Sequence, residues 1–160
     1  MNKELKRIFD ADQRDRLNPP KRFSSGRFDD FLYWLDARDK KRLKRTKEII
    51  KRKDLVGEDY HRAAMIFHHI GDIKIATSLA NKSIDMGYEK ARWLYAATVD
   101  RGLVMKGRKQ KYGTQFKVLK DGSVKFYPIN KRTPESEKKK YNVPPPEEIA
   151  RRSKRFWRNK

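Results

Sequence analysis

Side chains able to carry out acid–base or anion-binding chemistry fall into two groups along the chain. One group is histidine, at positions 61, 68 and 69 of a single predicted helix. The other combines an acid and a guanidinium, Asp100-Arg101, with the stretch 110–115 (QKYGTQ) around its glycine. A histidine held by a carboxylate can exchange protons with a substrate, and a guanidinium can stabilise developing negative charge. One hypothesis is therefore a small enzyme that acts on a phosphate-bearing or nucleotide-like substrate.

In this hypothesis His69 is the general acid or base, Asp100 orients it, and Arg101 stabilises negative charge. Gln110 and Gln115 would position the ligand. The candidate catalytic set is His69, Asp100, Arg101, Tyr112, Thr114 and Gln115. The alternative is that the same polar groups form a fully paired buried network that fixes a hairpin to the helices, as such networks often do. Burial of His69 and Asp100 with every polar atom paired would favour that second interpretation.

Other catalytic motifs are missing from the sequence. His61, His68, His69, Asp72 and Asp100 follow an order similar to metal phosphohydrolases, but His68 is followed by His69 where a His–Asp dyad would need an acid. Histidines hydrogen-bonded at a helix end are favoured over a metal site, so neither a metal nor a cofactor is predicted. There is no P-loop and no Gly-x-Ser-x-Gly, and the absence of cysteine removes any thiol nucleophile.

The positive charge is large and unevenly distributed. The 160 residues carry 42 Lys and Arg against 21 Asp and Glu, a net charge of +21. Residues 38–53 hold 10 basic and 2 acidic side chains, and residues 106–160 hold 18 and 5. Residues 61–105 are close to balanced, with 6 and 4. Concentrated cationic charge repels itself and attracts polyanions, which gain affinity by releasing counterions.

The preferred hypothesis is therefore a basic binding module for RNA or for a ribonucleoprotein such as the ribosome, with DNA as an alternative partner. Phosphate contacts would supply the affinity, and Tyr112, Phe116, Tyr127, Tyr141, Phe156 and Trp157 could stack on unpaired bases. No recognised nucleic-acid motif is present, so base specificity is not predicted. The candidate nucleic-acid-binding residues are Arg38, Lys41, Arg42, Arg45, Lys51, Arg52, Lys109, Lys111, Lys138, Lys139, Lys140, Arg151, Arg152, Arg155 and Trp157.

Several classes of protein are excluded or disfavoured by composition. No run of about 18 apolar residues is present, so a membrane span and a membrane partner are not expected. Glu4, Asp10, Asp12 and Asp15 make the first residues unlike a secretory or transit peptide. The lack of cysteine fits a reducing compartment, and the expected location is cytoplasmic. The sequence does not determine the oligomeric state, nor whether the protein binds a small-molecule ligand.

The elements that must position these groups are mainly helical. Apolar spacing and capping residues predict helices over 3–16, 29–53, 57–70, 73–86 and 89–105. The apolar stripe of the second is Leu32, Leu35, Leu43 and Ile50, with the basic residues opposite. Alternation in 116–118 (FKV) and 124–126 (VKF) around Asp121-Gly122 predicts a β-hairpin. Residues 129–143 are expected to be irregular, and 147–157 to form a basic tail helix.

The predicted fold class is therefore mostly α: an antiparallel helical-hairpin bundle of about five helices, a small β-hairpin and a basic C-terminal tail helix. The spacing of Gly71, Ala76, Ala80, Gly87, Ala91 and Leu94 is similar to one unit of a helical-hairpin repeat, which supports antiparallel helix pairs. The expected domains are residues 1–128, the helical domain with its hairpin, and residues 129–160, the proline-containing basic tail.

One set of short motifs resembles a family of uncharacterised bacterial proteins known as a domain of unknown function. The matching residues are Asp12-Gln13 with Arg16, Asp36, 56–59 (VGED), His69, Asp100-Arg101, Gln110, 112–116 (YGTQF), Gly122 and 128–129 (PI). The resemblance covers nearly the whole chain to about residue 150. The resemblance implies a helical fold with one shared polar cluster and brings no known reaction. Two positions depart from the family pattern: His68 replaces its glutamine, and 51–54 (KRKD) replaces a Gly-Trp-Pro. The strong basicity is also not typical of the family and looks like an adaptation of this member.

Overall fold

The structure is a computed structural model that describes residues 1–18, 20, 28–119 and 123–151. The described chain is mostly helical, with a small antiparallel hairpin after the helices and a short helix near the C-terminus, which confirms the predicted fold class. It divides into two compact units, Met1–Glu89 and Lys90–Lys160. The expected boundary after residue 128 does not coincide with this division, and residues 141–143, beyond the hairpin, pack against the helix that starts at residue 91. None of the described helices is both long and apolar enough to cross a membrane.

The first unit contains four helices whose ends follow local signals. They are α1 (Lys3–Leu17), α2 (Phe28–Ile49), α3 (Gly57–Ile70) and α4 (Ile73–Asp85). The Asn2 side chain caps α1 by accepting from the N–H of Leu5, and Asp72 caps α4 in the same way. Gly71 closes α3 in the left-handed conformation, at φ +90°. The predicted helices are confirmed, except that α2 ends at Ile49, four residues before its expected end.

Neighbouring helices of this unit pack in defined directions. Asn2 and Asp12 of the first helix contact Asp59 and His69, each 57 residues further along the chain, so α1 and α3 run parallel. The carbonyl of Gly57, at the start of α3, accepts a 2.6 Å hydrogen bond from the Ser83 hydroxyl near the end of α4, so these two helices are antiparallel. Their shared core is built from Ala63, Ala64, Ile66, Phe67, Ala76, Leu79 and Ala80.

The inward face of α2 is polar, and here the sequence prediction is wrong. Leu32 is exposed and Leu43 only half-buried, although both belong to the predicted apolar stripe. The buried side chains are Asp39, Arg42, Thr46 and Ile49. The facing helix α1 likewise buries Asp12 and Asp15 below Leu5. An ion-paired seam therefore joins these two helices where leucine packing was expected.

The second unit contains α5 (Ala91–Met105), strands β1 (Phe116–Val118) and β2 (Val124–Phe126), and α6 (Glu135–Lys140). The two strands form the predicted hairpin, with Phe116 opposite Phe126, and their turn at 120–122 lies outside the described residues. Residues 146–151 are also helical. Helix α6 falls within the stretch expected to be irregular. Its acidic first turn and its three closing lysines complement the helix dipole, which explains why so polar a segment is helical.

A tyrosine cluster holds the chain after the hairpin against α5. The ring of Tyr141 stacks on that of Tyr95 at 5.0 Å and meets the edge of Tyr112 at 5.2 Å. Ala96 and Val143 complete this core. Because aromatic pairs bury large areas, residues 141–143 belong to the folded unit rather than to a detached tail.

Candidate functional site

Asp100, in the last two turns of α5, anchors the loop of residues 111–114 through hydrogen bonds. Its carboxylate is fully buried. Oδ1 accepts from the N–H groups of Lys111 at 2.7 Å and Tyr112 at 2.8 Å. Oδ2 accepts from the N–H groups of Gly113 and Thr114 and from the Thr114 hydroxyl, at 2.8–2.9 Å. Gly113 adopts φ +93°, which a side chain would disfavour, and so lets consecutive N–H groups converge on one anion.

Two glutamines extend this network to the hairpin. Gln110 is fully buried, and its Nε2 donates to the carbonyls of Gln115 at 3.0 Å and Tyr127 at 2.8 Å. Its Oε1 accepts from the N–H of Gln115 at 2.8 Å. The Gln115 amide donates in turn to the carbonyl of Ala97 on α5, at 3.3 Å. These side chains join the strands to the helix.

The paired state of these groups supports the network interpretation over the catalytic one. A carboxylate offers about four lone-pair positions, and Asp100 already accepts from five donors, so it has no capacity left to orient a histidine. Thr114 and Tyr112 are buried, Gln115 is engaged, and Arg101 is half-buried on α5. Burial raises the pKa of the Tyr112 hydroxyl, with Glu137 adding to the effect, so this phenol stays protonated. His69 lies in the first unit and pairs with Asp12.

A basic groove opens elsewhere in the second unit. It has a volume of about 370 Å³ and is lined by Leu103, Arg108, Lys109, Lys111, Asn130, Arg132, Thr133, Pro134 and Glu137. Arg108, Lys109 and Arg132 are exposed, and none of them has a carboxylate partner in the described part of the chain. Arg108 and Arg132 were not predicted from the sequence, since they are 24 positions apart and only the fold brings them to one groove.

The acid of the groove is bound to one of its lysines. The Lys111 Nζ lies 2.5 Å from Oε1 of Glu137. This hydrogen bond raises the pKa of Lys111 and lowers the pKa of Glu137, so both are charged at neutral pH. The groove therefore contains four cations and one anion, and an incoming anion would meet three cations that no described carboxylate neutralises.

The other candidate interface residues of the second unit differ in whether they are paired or exposed. Lys138 pairs with Glu135 at 2.6 Å, while Lys139, Lys140 and Arg151 are exposed. The Lys140 ammonium also lies 5.7 Å from the centre of the Tyr141 ring. Arg152, Arg155 and Trp157 lie outside the described residues.

In the first unit, internal ion pairs neutralise several of the basic side chains predicted to form the exposed face of α2. Arg38 pairs with Asp15 at 2.6 Å, and Arg45 pairs with Glu4 at 2.5 Å and with Glu48 at 2.5 Å. Lys41 and Lys51 are exposed, and Arg52 lies 3.7 Å from Asp54.

Arg42 requires a correction. Only 7 % of its side chain is exposed, and it contacts the carboxylates of Asp15 and Asp39. It is therefore a structural cation and not part of an interface. The sequence-based prediction failed because both acids reach it from positions that apolar spacing did not identify as inward-facing.

The histidines of α3 have different surroundings. Nδ1 of His69 lies 2.7 Å from Oδ2 of Asp12. Burial would raise the pKa of Asp12, but the hydrogen bond from His69 and the charges of His69, Arg16 and Arg42 outweigh it, and the pKa is lowered. His61 packs between the rings of Phe9 and Tyr88. Within the described ranges, no three His, Asp or Glu side chains form a group suited to a metal ion.

Comparison of the chain with protein-family profiles, with curated proteins and with solved structures found no match. The resemblance to an uncharacterised bacterial family therefore stays a prediction.

Proposed function

We propose that this protein binds RNA, free or within a ribonucleoprotein, through phosphate contacts in the groove between α5 and α6. The observation that carries the proposal is the grouping of Arg108, Lys109 and Arg132 around one concave surface without a described carboxylate partner. A concave cationic surface concentrates field lines and attracts phosphates from a distance. The expected location is the cytoplasm, where such RNA is abundant.

The polar lining suits a sugar–phosphate backbone better than a base edge. Asn130 and Thr133 add uncharged hydrogen-bonding groups beside the cations, and Leu103 and Pro134 are the apolar contributions. Lysine and arginine side chains that contact phosphates do not distinguish one base from another. We therefore expect binding that depends little on base sequence and strongly on salt.

The direct test is a titration of a fluorescently labelled single-stranded RNA with the full chain, followed by anisotropy, over a series of salt concentrations. Neutralising three or four phosphates predicts a log–log slope of about −2 to −3. An affinity that does not change with salt would overturn the proposal. A duplex DNA that binds more tightly than RNA would overturn the choice of RNA.

A pair of charge-reversal variants locates the binding surface. Lys109→Glu changes a groove residue, and Lys74→Glu makes the same charge change at an exposed position of α4. We expect Lys109→Glu to weaken binding on the order of tenfold at low salt and to reduce the slope by about one. Lys74→Glu should have a much smaller effect. Equal losses for the two variants would show that net charge, and not the groove, governs binding.

A further inference from the structure

Asp12 and His69 form a carboxylate–imidazole pair in the first unit. The sequence had paired His69 with Asp100 instead. Asp12 is 1 % exposed, and its Oδ2 holds Nδ1 of His69 at 2.7 Å. An ionised carboxylate can only accept, so Nδ1 carries the proton and Nε2 is the basic nitrogen. No described residue hydrogen-bonds Nε2, and about a fifth of the His69 side chain is exposed. The histidine is thus anchored through Nδ1, while its second ring nitrogen has no hydrogen-bond partner among the described residues.

The parallel packing of α1 and α3 builds this pair, and the seam with α2 keeps it charged. Arg16 lies one turn after Asp12 and approaches Oδ1 at 3.4 Å, while Arg42 lies at 3.8 Å. Oδ1 is buried and accepts no hydrogen bond, so the hydrogen bonding of this carboxylate depends on its other oxygen, Oδ2, which His69 contacts. Asp15 and Asp39 are the other carboxylates of the seam, and Gln13 donates to Oδ2 at 3.0 Å.

Arg16 supplies positive charge at the same place. Its Nη2 donates to Asp39 at 2.6 Å, whereas Nε and Nη1 have no acceptor in the described part of the chain. Its side chain is 19 % exposed. Since Arg16 and His69 contact the same carboxylate, a base and a guanidinium with further donors lie next to each other, and each side chain is about one fifth exposed.

We propose that this pair is an acid–base site for cleavage of RNA phosphodiesters by transesterification. Nε2 of His69 takes the proton of a ribose 2′-hydroxyl, and the 2′-oxygen attacks the adjacent phosphorus. The P–O5′ bond breaks, and the 5′-oxygen leaves with the electron pair and takes a proton from solvent. His69 returns its proton to solvent. The products are a 2′,3′-cyclic phosphate and a 5′-hydroxyl end, and no further reactant is consumed.

Each residue has a separate role in this step. His69 and Arg16 are the catalytic residues, because they would touch the 2′-oxygen and the phosphate oxygens. Asp12 is a positioning residue, since it fixes the tautomer and direction of the imidazole and stabilises its charged form. The choice of RNA as substrate rests on the proposed function.

The test incubates the full chain with an end-labelled single-stranded RNA in the presence of a chelator and separates the products on a gel. A 2′-O-methyl RNA of the same sequence serves as a substrate that can bind but lacks the nucleophile. His69→Gln should lower kcat on the order of 10²-fold or more. His61→Gln, a matched change on the same helix, should leave kcat within about threefold of the original, an effect of less than 1 kcal/mol.

Asp12→Asn gives the readout specific to positioning. We expect kcat to fall by about 10²-fold or more with KM little changed, because the tautomer is lost while substrate contacts remain. A circular-dichroism melting curve checks that each variant is folded under the assay conditions. Equal cleavage by the original protein and by His69→Gln would overturn the acid–base proposal.

The outcomes separate this proposal from the proposed function. Salt-dependent binding of the RNA without any cleavage would overturn the acid–base site and leave the groove intact. Cleavage that His69→Gln abolishes, together with affinity unaffected by Lys109→Glu, would support the site and overturn the groove. Cleaved ends that carry 5′-phosphate would overturn the 2′-oxygen mechanism.

Discussion

Replacing Asp100 with asparagine is the sharpest perturbation of the second unit, because one carboxylate there organises a whole loop. Asparagine keeps a single carbonyl oxygen, so it can retain the donors of either Oδ1 or Oδ2 but not both sets. Two or three buried donors then face an NH₂ group instead of an acceptor. A buried donor without an acceptor costs about 1–3 kcal/mol.

The expected loss in the free energy of unfolding is therefore about 3–5 kcal/mol, a large part of the ~5–15 kcal/mol typical of a domain. Urea titration followed by far-UV circular dichroism measures it. Hydrogen exchange by NMR localises it, since the amides of residues 111–114 should lose protection first. Asp85→Asn changes an exposed carboxylate and should alter stability by less than about 0.5 kcal/mol.

An Asp100→Asn variant that loses less than about 1 kcal/mol and keeps the protection of residues 111–114 would contradict the anchoring role of this carboxylate. Such a result would mean that the loop geometry is held by its other contacts.

Three further outcomes are expected. Gly113→Ala should cost about 2 kcal/mol or more, measured by thermal melting, because φ is positive there and the new Cβ would lie 3.2 Å from Cδ1 of Ile129. Arg42→Met should cost about 3–5 kcal/mol in urea titration, since it leaves buried carboxylates without their cation, and an unchanged midpoint would contradict the ion-paired seam. The lowered pKa of Asp12 means that its ionised form stabilises the fold above its ordinary pKa of 3.8, and that this contribution is lost as the pH falls through the lowered value. Asp12→Asn should therefore flatten the acid side of a stability–pH curve, and parallel curves for the two proteins would argue against the pairing with His69.

Part of the candidate chemistry was visible in the sequence, but with the wrong partners. His69 was identified as the acid–base residue, yet the expected orienting acid was Asp100, which the loop fully occupies. Asp12 was recognised as part of a short motif and not as a ligand of the imidazole. The 57 positions between Asp12 and His69 carry no periodic signal, because the contact depends on how α1 lies along α3.

The helices and the hairpin were determined locally. Asn2, Gly71 and Asp72 mark helix ends because caps satisfy backbone groups within a few residues, and alternation over 116–118 and 124–126 sets the register of two adjacent strands. Helix α6 was missed because its polar residues bury no periodic stripe, and only the charges at its ends favour it.

Only the packing of the helices determines which basic side chains are neutralised by carboxylates. Lysines and arginines are frequent both on α2 and around the groove, yet Arg42 is buried among acids while Arg108 and Arg132 form no ion pair with a described carboxylate. Coulomb interactions depend on distance in space, and Asp15 reaches Arg42 from 27 positions away. The number of charges follows from the sequence alone, whereas their neutralisation, and with it the surface available to an anionic partner, follows from the packing of the helices.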